Sequence, residues 1–195
     1  MIKIGSEEWI EWRKQHICAS DCPIILEISP YRKPIQLWAE KLDLIEPQPT
    51  NPFMKRGQEL EESAREEFER LTGLLVFPTA LEHPTLPYLA ASLDGMTLEK
   101  DAIVEIKCNG TKTHAMVLIG IIPDHHNAQI QHQLACTGLK FAYYFSFDGS
   151  KGIILEVQRD QEFINKMIEK ENHFWNCIQS FTPPIQRNSK SKVKK

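Results

Sequence analysis

Long apolar runs are missing from this chain, and no stretch approaches the roughly 20 residues that a membrane-spanning helix needs. Paired cysteine motifs are missing as well. The five cysteines, Cys18, Cys22, Cys108, Cys136 and Cys177, are odd in number and widely spread, and no C-x-x-C stands among them. This argues against a disulfide framework. Cys18 and Cys22 also lack a second pair that would complete a metal site, so reduced, mostly buried thiols are expected. Internal repeats are absent. The opening segment, MIKIGSEEWIEW, carries acids and tryptophans where a secretory signal would place basic and then apolar residues, so a cytoplasmic location is expected. An excess of positive charge is also lacking. Against 23 lysines and arginines stand 26 acids, a net charge of -3. Five of those cations (Arg187, Lys190, Lys192, Lys194 and Lys195) sit in the last ten residues, so the preceding body is near -8. Nucleic-acid binders usually display a basic surface, and this body does not. Acids gathered around a metal would account for part of the difference.

What is present reads as one α/β (α+β) unit over 1–182, followed by a basic, disordered tail over 183–195. The tail either touches phosphate or aids solubility. Ser6 is placed to cap a helix over 7–17, and Ser20 or Asp21 a short one over 23–28. Pro34 opens a third helix. A Pro-rich loop over 43–53 precedes a long helix, 54–71, with Leu60, Ala64, Phe68 and Leu71 on its core face. Strands are expected at 74–78, 81–84, 88–93, 96–99 and 102–108, then helices at 112–119 and 123–137. A hairpin of strands 140–147 and 152–158 and a last helix over 160–179 complete the chain. A mixed central β-sheet flanked by helices follows.

The informative stretch is Ser92-Leu93-Asp94-Gly95, followed eleven residues after Asp94 by Glu105-Ile106-Lys107. In a strand, Glu105 and Lys107 point to one face, and Val104 and Ile106 to the other. Asp94-Gly95 reads as a turn that returns the Asp94 carboxylate towards Glu105 and Lys107. Two carboxylates and an ammonium on one sheet surface suit a Mg²⁺ or Mn²⁺ site with a helper cation. A surface Glu–Lys pair beside an unrelated aspartate is the competing reading. Glu61 lies near the edge of the long helix's core stripe, where it reaches a neighbouring sheet or simply faces solvent. Gln129 and Gln133 share a helix face. An amide there binds a lysine, a water or a phosphate, or is ordinary polar surface.

Together these blocks resemble the lambda exonuclease family, the YqaJ-like phage recombination nucleases of the PD-(D/E)XK superfamily. The likeness runs in order through W-x-x-x-R with A-S (Trp9, Arg13, Ala19, Ser20) and R-G-x-x-x-E-x-x-A-R (Arg56 to Arg65). It continues through S-x-D-G (Ser92 to Gly95), E-x-K-C (Glu105 to Cys108) and Q-x-Q (Gln129, Gln131). Leu93 and Asn109 stand where proline is common in that family.

The resemblance implies a restriction-endonuclease-like core and a Mg-dependent 5′→3′ exonuclease of double-stranded DNA. Such an enzyme releases mononucleotides and leaves 3′ single strands. The resemblance also implies roles. Asp94, Glu105 and the Ile106 carbonyl would hold one Mg²⁺ or Mn²⁺, with Glu61 helping a second. Lys107 would position the attacking water, and Gln129 would fix that lysine. Arg13, Ser20 and Ser92 would receive the 5′-phosphate. Linear double-stranded DNA, a ring-shaped homotrimer and a single-strand annealing protein are the implied partners, and Phe53 and Met54 offer an apolar wedge. A restriction-like endonuclease, a CRISPR-associated nuclease with an iron–sulfur cluster and a catalytically silent DNA-end-binding module are the alternatives. The lone late cysteine, Cys177, argues against the cluster.

Overall fold

A computed structural model describes residues 2–185, so the predicted tail lies outside the described residues from 186 on. Local hydrogen bonds set the entry into the fold. The Trp9 amide donates to Ser6 Oγ at 3.2 Å and starts α1 (Glu7–Lys14). The helix stops before the predicted residue 17, because Ile17 and Cys18 form β1 (Ile17–Cys18), parallel to Leu89 and Ala90. Neither Ser20 nor Asp21 caps α2 (Cys22–Ile25) with its side chain. Asp21 accepts the Cys18 amide at 3.0 Å and meets Lys41 Nζ at 2.8 Å, in α3 (Pro34–Lys41).

The long helix α4 (Pro52–Thr72) begins two residues early, since Asn51 Oδ1 accepts the Met54 amide at 2.9 Å and Pro52 occupies the first turn. Phe53 and Met54 are therefore helical and exposed, at 80% and 48%. At the other end Gly73, with φ 73°, terminates the helix in the left-handed conformation as Thr72-Gly73 predicts. Ala64 and Phe68 are buried, whereas Leu71, expected on the same stripe, is exposed.

The sheet holds six strands: β1, β2 (Val76–Glu82), β3 (Leu89–Thr97), β4 (Ile103–Lys107), β5 (Phe141–Phe147) and β6 (Gly152–Gln158). β3 pairs antiparallel to β2 along one edge. On its other edge it pairs with β1 at Leu89–Ala90 and with β4 at Gly95–Met96. Between those contacts the second edge of β3 carries no ladder. β4 runs parallel to β5, and β5 antiparallel to β6. The four short strands expected between 74 and 99 are thus two longer ones. Pro78 lies within β2 and is tolerated there because β2 is an edge strand.

Asp94-Gly95 is not a turn. Thr79 pairs with Leu93 and Phe77 with Met96, so β3 inserts one extra residue against β2: a β-bulge at the centre of the strand. Gly95 is required there. A Cβ on it would lie 2.7 Å from Val104 Cγ1 and 2.8 Å from Val76 Cβ. Gly95→Ala should therefore cost about 1–3 kcal/mol from overpacking. A thermal melt with an unchanged midpoint would show that the two valines retreat freely.

Helices cover both faces. Ala64 and Phe68 of α4 pack on Val76, Val104, Ile106, Phe145 and Phe147. The larger core joins Leu89, Ala91, Leu93 and Ile103 to α2, α3, α5 (Thr111–Leu118), α6 (Asp124–Thr137) and α7 (Gln161–Gln179). Val104 and Ile106 thus face α4, leaving Glu105 towards α6. Among the described residues no helix is long and apolar enough to cross a membrane.

Candidate active site

Glu105 is a carboxylate at 1% exposure and cannot stay charged there without partners. It has three. Lys107 Nζ lies 2.5 Å from Oε1, Gln129 Nε2 donates to the same oxygen at 2.6 Å, and Gln133 Nε2 donates to Oε2 at 2.5 Å. The strand alternation delivers the lysine, and the i, i+4 spacing on α6 delivers both amides. Gln129 was expected on the lysine; it acts on the carboxylate that the lysine shares. Gln133 is a buried residue whose role the sequence did not specify, although its spacing from Gln129 was visible.

Asp94 completes the core. β4 stays on β3 only at Gly95–Val104 and Met96–Ile103, and beyond that point the Ile106 amide donates to Asp94 Oδ2 at 2.7 Å. A side chain thus continues the ladder where the strands part. Burial and the charge of Glu105 push the Asp94 carboxyl well above its ordinary range, and Glu61 adds to the same effect. For Lys107, burial works to lower the pKa, but Glu105 and Asp94 outweigh it and hold the ammonium above its usual value. Clustered acids disfavouring their own ionisation fit a divalent cation, which would relieve the repulsion through hard oxygen donors.

Glu61 stands on the rim. Arg65 Nη2 meets Glu61 Oε1 at 3.0 Å, while Arg65 Nε donates to the Asp94 carbonyl at 3.1 Å. Arg65 is thus a link that the motif R-G-x-x-x-E-x-x-A-R contained but did not explain. Glu61, Pro78 and Ile2–Ile4 line an open cleft of about 460 Å³. Beyond Lys107, Asn109 Nδ2 donates to Tyr144 Oη at 2.9 Å and to Ser146 Oγ at 3.0 Å. Its amide gives that position a bonding role that proline lacks. Tyr144 Oη also lies 2.8 Å from His126 Nδ1. Burial and the Lys107 charge press His126 down to about 2, and burial lifts Tyr144 to about 12, so both are neutral at physiological pH.

A second cluster gathers Arg13, Ser20 and Ser92. Arg13 Nη2 donates to Ser20 Oγ at 2.7 Å, Trp9 Nε1 donates to Ser92 Oγ at 2.8 Å, and the guanidinium lies 4.7 Å from the Trp9 ring centroid. The guanidinium thus stands within cation–π distance of the indole and donates to Ser20, while the indole itself holds Ser92. Trp9 was visible as part of W-x-x-x-R, but its indole N–H was not assigned a partner.

Taken together, the mixed sheet and its flanking helices belong to the exonuclease class of fold. An alkaline exonuclease from Laribacter hongkongensis (LHK-Exo) is similar at a TM-score of 0.79 and 28% identity, over 90% of this chain and 94% of that one. Its complex with dAMP is similar at the same score and 26% identity, with the same coverage. A phage related exonuclease from Haemophilus somnus 129PT shares the fold at a TM-score of 0.65 and 15% identity, over 85% of this chain and 94% of that one.

The chain belongs to the YqaJ-like viral recombinase domain family, matching it over residues 8–140. The uncharacterized protein YqaJ of Bacillus subtilis (strain 168) is 29% identical over 182 residues, covering 89% of this chain and 56% of that protein. The chain therefore spans little more than half the length of that relative.

Proposed function

We propose that this protein is a Mg²⁺-dependent 5′→3′ exonuclease of double-stranded DNA that releases mononucleotides and leaves 3′ single strands. The observation that carries this reading is the buried Glu105, held by Lys107, Gln129 and Gln133 beside the charge-strained Asp94. The likeness to a solved alkaline exonuclease supports it.

Asp94, Glu105 and the Ile106 carbonyl are the residues that would hold a first ion, with Glu61 contributing to a second. Bound there, such ions would supply activation of the attacking water and stabilisation of charge on the departing 3′-oxygen. The chain's own residues do the rest. Gln129 and Gln133 fix both oxygens of Glu105 so that its orientation is set before substrate arrives. Lys107, held charged, would orient the water and stabilise charge on the scissile phosphate. Arg13, Ser20 and Ser92, with Trp9 as a support, receive the 5′-terminal phosphate through a planar guanidinium and hydroxyl donors. Phe53, exposed on the first turn of α4, is the candidate wedge between strands. One compact domain over 1–182, a ring-shaped homotrimer, cytoplasmic action and an annealing partner belong to the same reading through the family resemblance.

Digestion of linear duplexes with 5′-phosphate or 5′-hydroxyl ends, and of covalently closed circles, tests the proposal. An exonuclease of this kind needs an end and prefers the phosphate. Cutting of the circle would make the protein an endonuclease, and no cutting a silent end-binder. Arg13→Ala should lose about 10–100-fold on 5′-phosphate ends and little on 5′-hydroxyl ends, because one charge-assisted contact is removed. Equal loss on both would remove Arg13 from that role. Deleting 187–195 should lower the slope of affinity against salt if the tail contacts phosphate. An identical slope would leave it a solubility element.

A further inference from the structure

We propose that Cys22, His132 and Glu171 form a buried site for a zinc-type divalent ion, separate from the acids on β3 and β4. The three donors come from α2, α6 and α7, and each is fully buried. The sulfur, a ring nitrogen and a carboxylate oxygen all lie within 4.8 Å of one another. Metal–ligand distances of about 2.0–2.3 Å place such donors around one centre. This is the single His/Cys/Asp/Glu group meeting that spacing among the described residues.

Two further observations point to a ligand. Among the described residues Glu171 Oε2 is buried without any hydrogen-bond partner, although Oε1 lies 2.7 Å from His132 Nδ1. A His–Glu ion pair alone leaves that oxygen orphaned, at a cost of about 1–3 kcal/mol. In addition, His132 Nε2 lies 3.0 Å from the Ala90 carbonyl on β3. A carbonyl can only accept, so Nε2 carries the proton and Nδ1 is turned towards Cys22 and Glu171. Metal-ligating histidines are oriented by outer contacts of this kind.

The donor set selects the ion. A thiolate and an imidazole favour zinc over magnesium or calcium, which take oxygen ligands. Binding displaces the Cys22 thiol proton and the Nδ1 proton. A buried imidazolium–carboxylate pair thereby becomes an equally neutral ion–thiolate–carboxylate group, and two protons leave for solvent. The ion would tie α2, α6 and α7 together beneath β3 and brace the helix that carries Gln129 and Gln133.

The test uses the full chain, with zinc measured by elemental analysis after exhaustive dialysis and Co²⁺ then exchanged in as a spectroscopic probe. The expected result is about one zinc per chain and a near-ultraviolet thiolate-to-cobalt band. Cys22→Ser, nearly isosteric, should abolish the band, and Glu171→Gln should reduce zinc retention at least tenfold. Glu105→Gln should leave the band intact, since no thiolate belongs to the carboxylate site. Absence of both zinc and band in the folded wild-type chain would overturn the proposal, leaving a plain buried ion pair. A band that survives in Cys22→Ser, or disappears in Glu105→Gln, would overturn it equally. None of these readouts depends on DNA cleavage, so a failure of the nuclease reading would be seen separately.

Discussion

The Asp94→Asn variant is expected to be inactive and yet, in metal-free buffer, more heat-stable than the parent chain. Both halves come from one fact. Asp94 is buried beside Glu105, so its charged form is disfavoured in the folded protein. A carboxyl whose folded pKa is raised contributes stability below its unfolded pKa and loses it as pH rises through the folded value. At neutral pH the native state therefore carries a repulsion that asparagine removes. The amide still offers an oxygen to the Ile106 N–H, so the link to β4 survives. Cleavage should fall by about 10³-fold or more, because the carboxylate proposed to hold ions that would supply several kcal/mol is gone. Thermal melts with and without Mg²⁺ would check the other half. The ion should raise the midpoint of the parent and barely move the variant. A variant less stable than the parent in chelator, or active at near-parent rate, would show that Asp94 is not a strained ligand.

Lys107→Met is the second large effect. Its apolar stem is kept and the ammonium is lost, so packing changes little while Glu105 loses its closest cation. Single-turnover cleavage should fall by about 10²–10³-fold, the loss seen when one preorganised electrostatic donor is deleted. DNA affinity in Ca²⁺ should stay within a few-fold, because duplex binding is spread over many phosphate contacts. Glu105→Ala should match the first result and the second. If either variant cleaves at near-parent rate, the β4 assignment fails. If affinity collapses together with rate, Lys107 is chiefly a binding residue.

The sequence made the helices and the site's strand legible for a physical reason: both are encoded locally. Alternation along Val104-Glu105-Ile106-Lys107 set which side chains share a face, and Thr72-Gly73 marked its helix end. What escaped depends on partners distant in sequence. A two-residue strand such as Ile17–Cys18 has no period to detect and exists only because β3 receives it. Pro78 made one edge strand look like two. Asp94-Gly95 has the composition of a turn, and only pairing with β2 exposes it as a bulge. The same limit hid how the site is wired. Gln133, Arg65 and the Trp9 indole act through residues 28, 29 and 83 positions away. The isolated Cys22 could not be matched to His132 and Glu171 from spacing.

The extra residue in β3 makes strand length, more than strand composition, the guarded property of this molecule. Between Ser92 and Met96, excising one codon would not trim a flexible connector. It would erase the kink and, with it, the placement of Asp94 against the Ile106 N–H, while Leu89 through Leu93 kept their faces against β2. Laboratory libraries built on this scaffold should therefore accept residue swaps there sooner than single-residue deletions, whereas the hairpin crossing at 148–151 offers a place where length can vary.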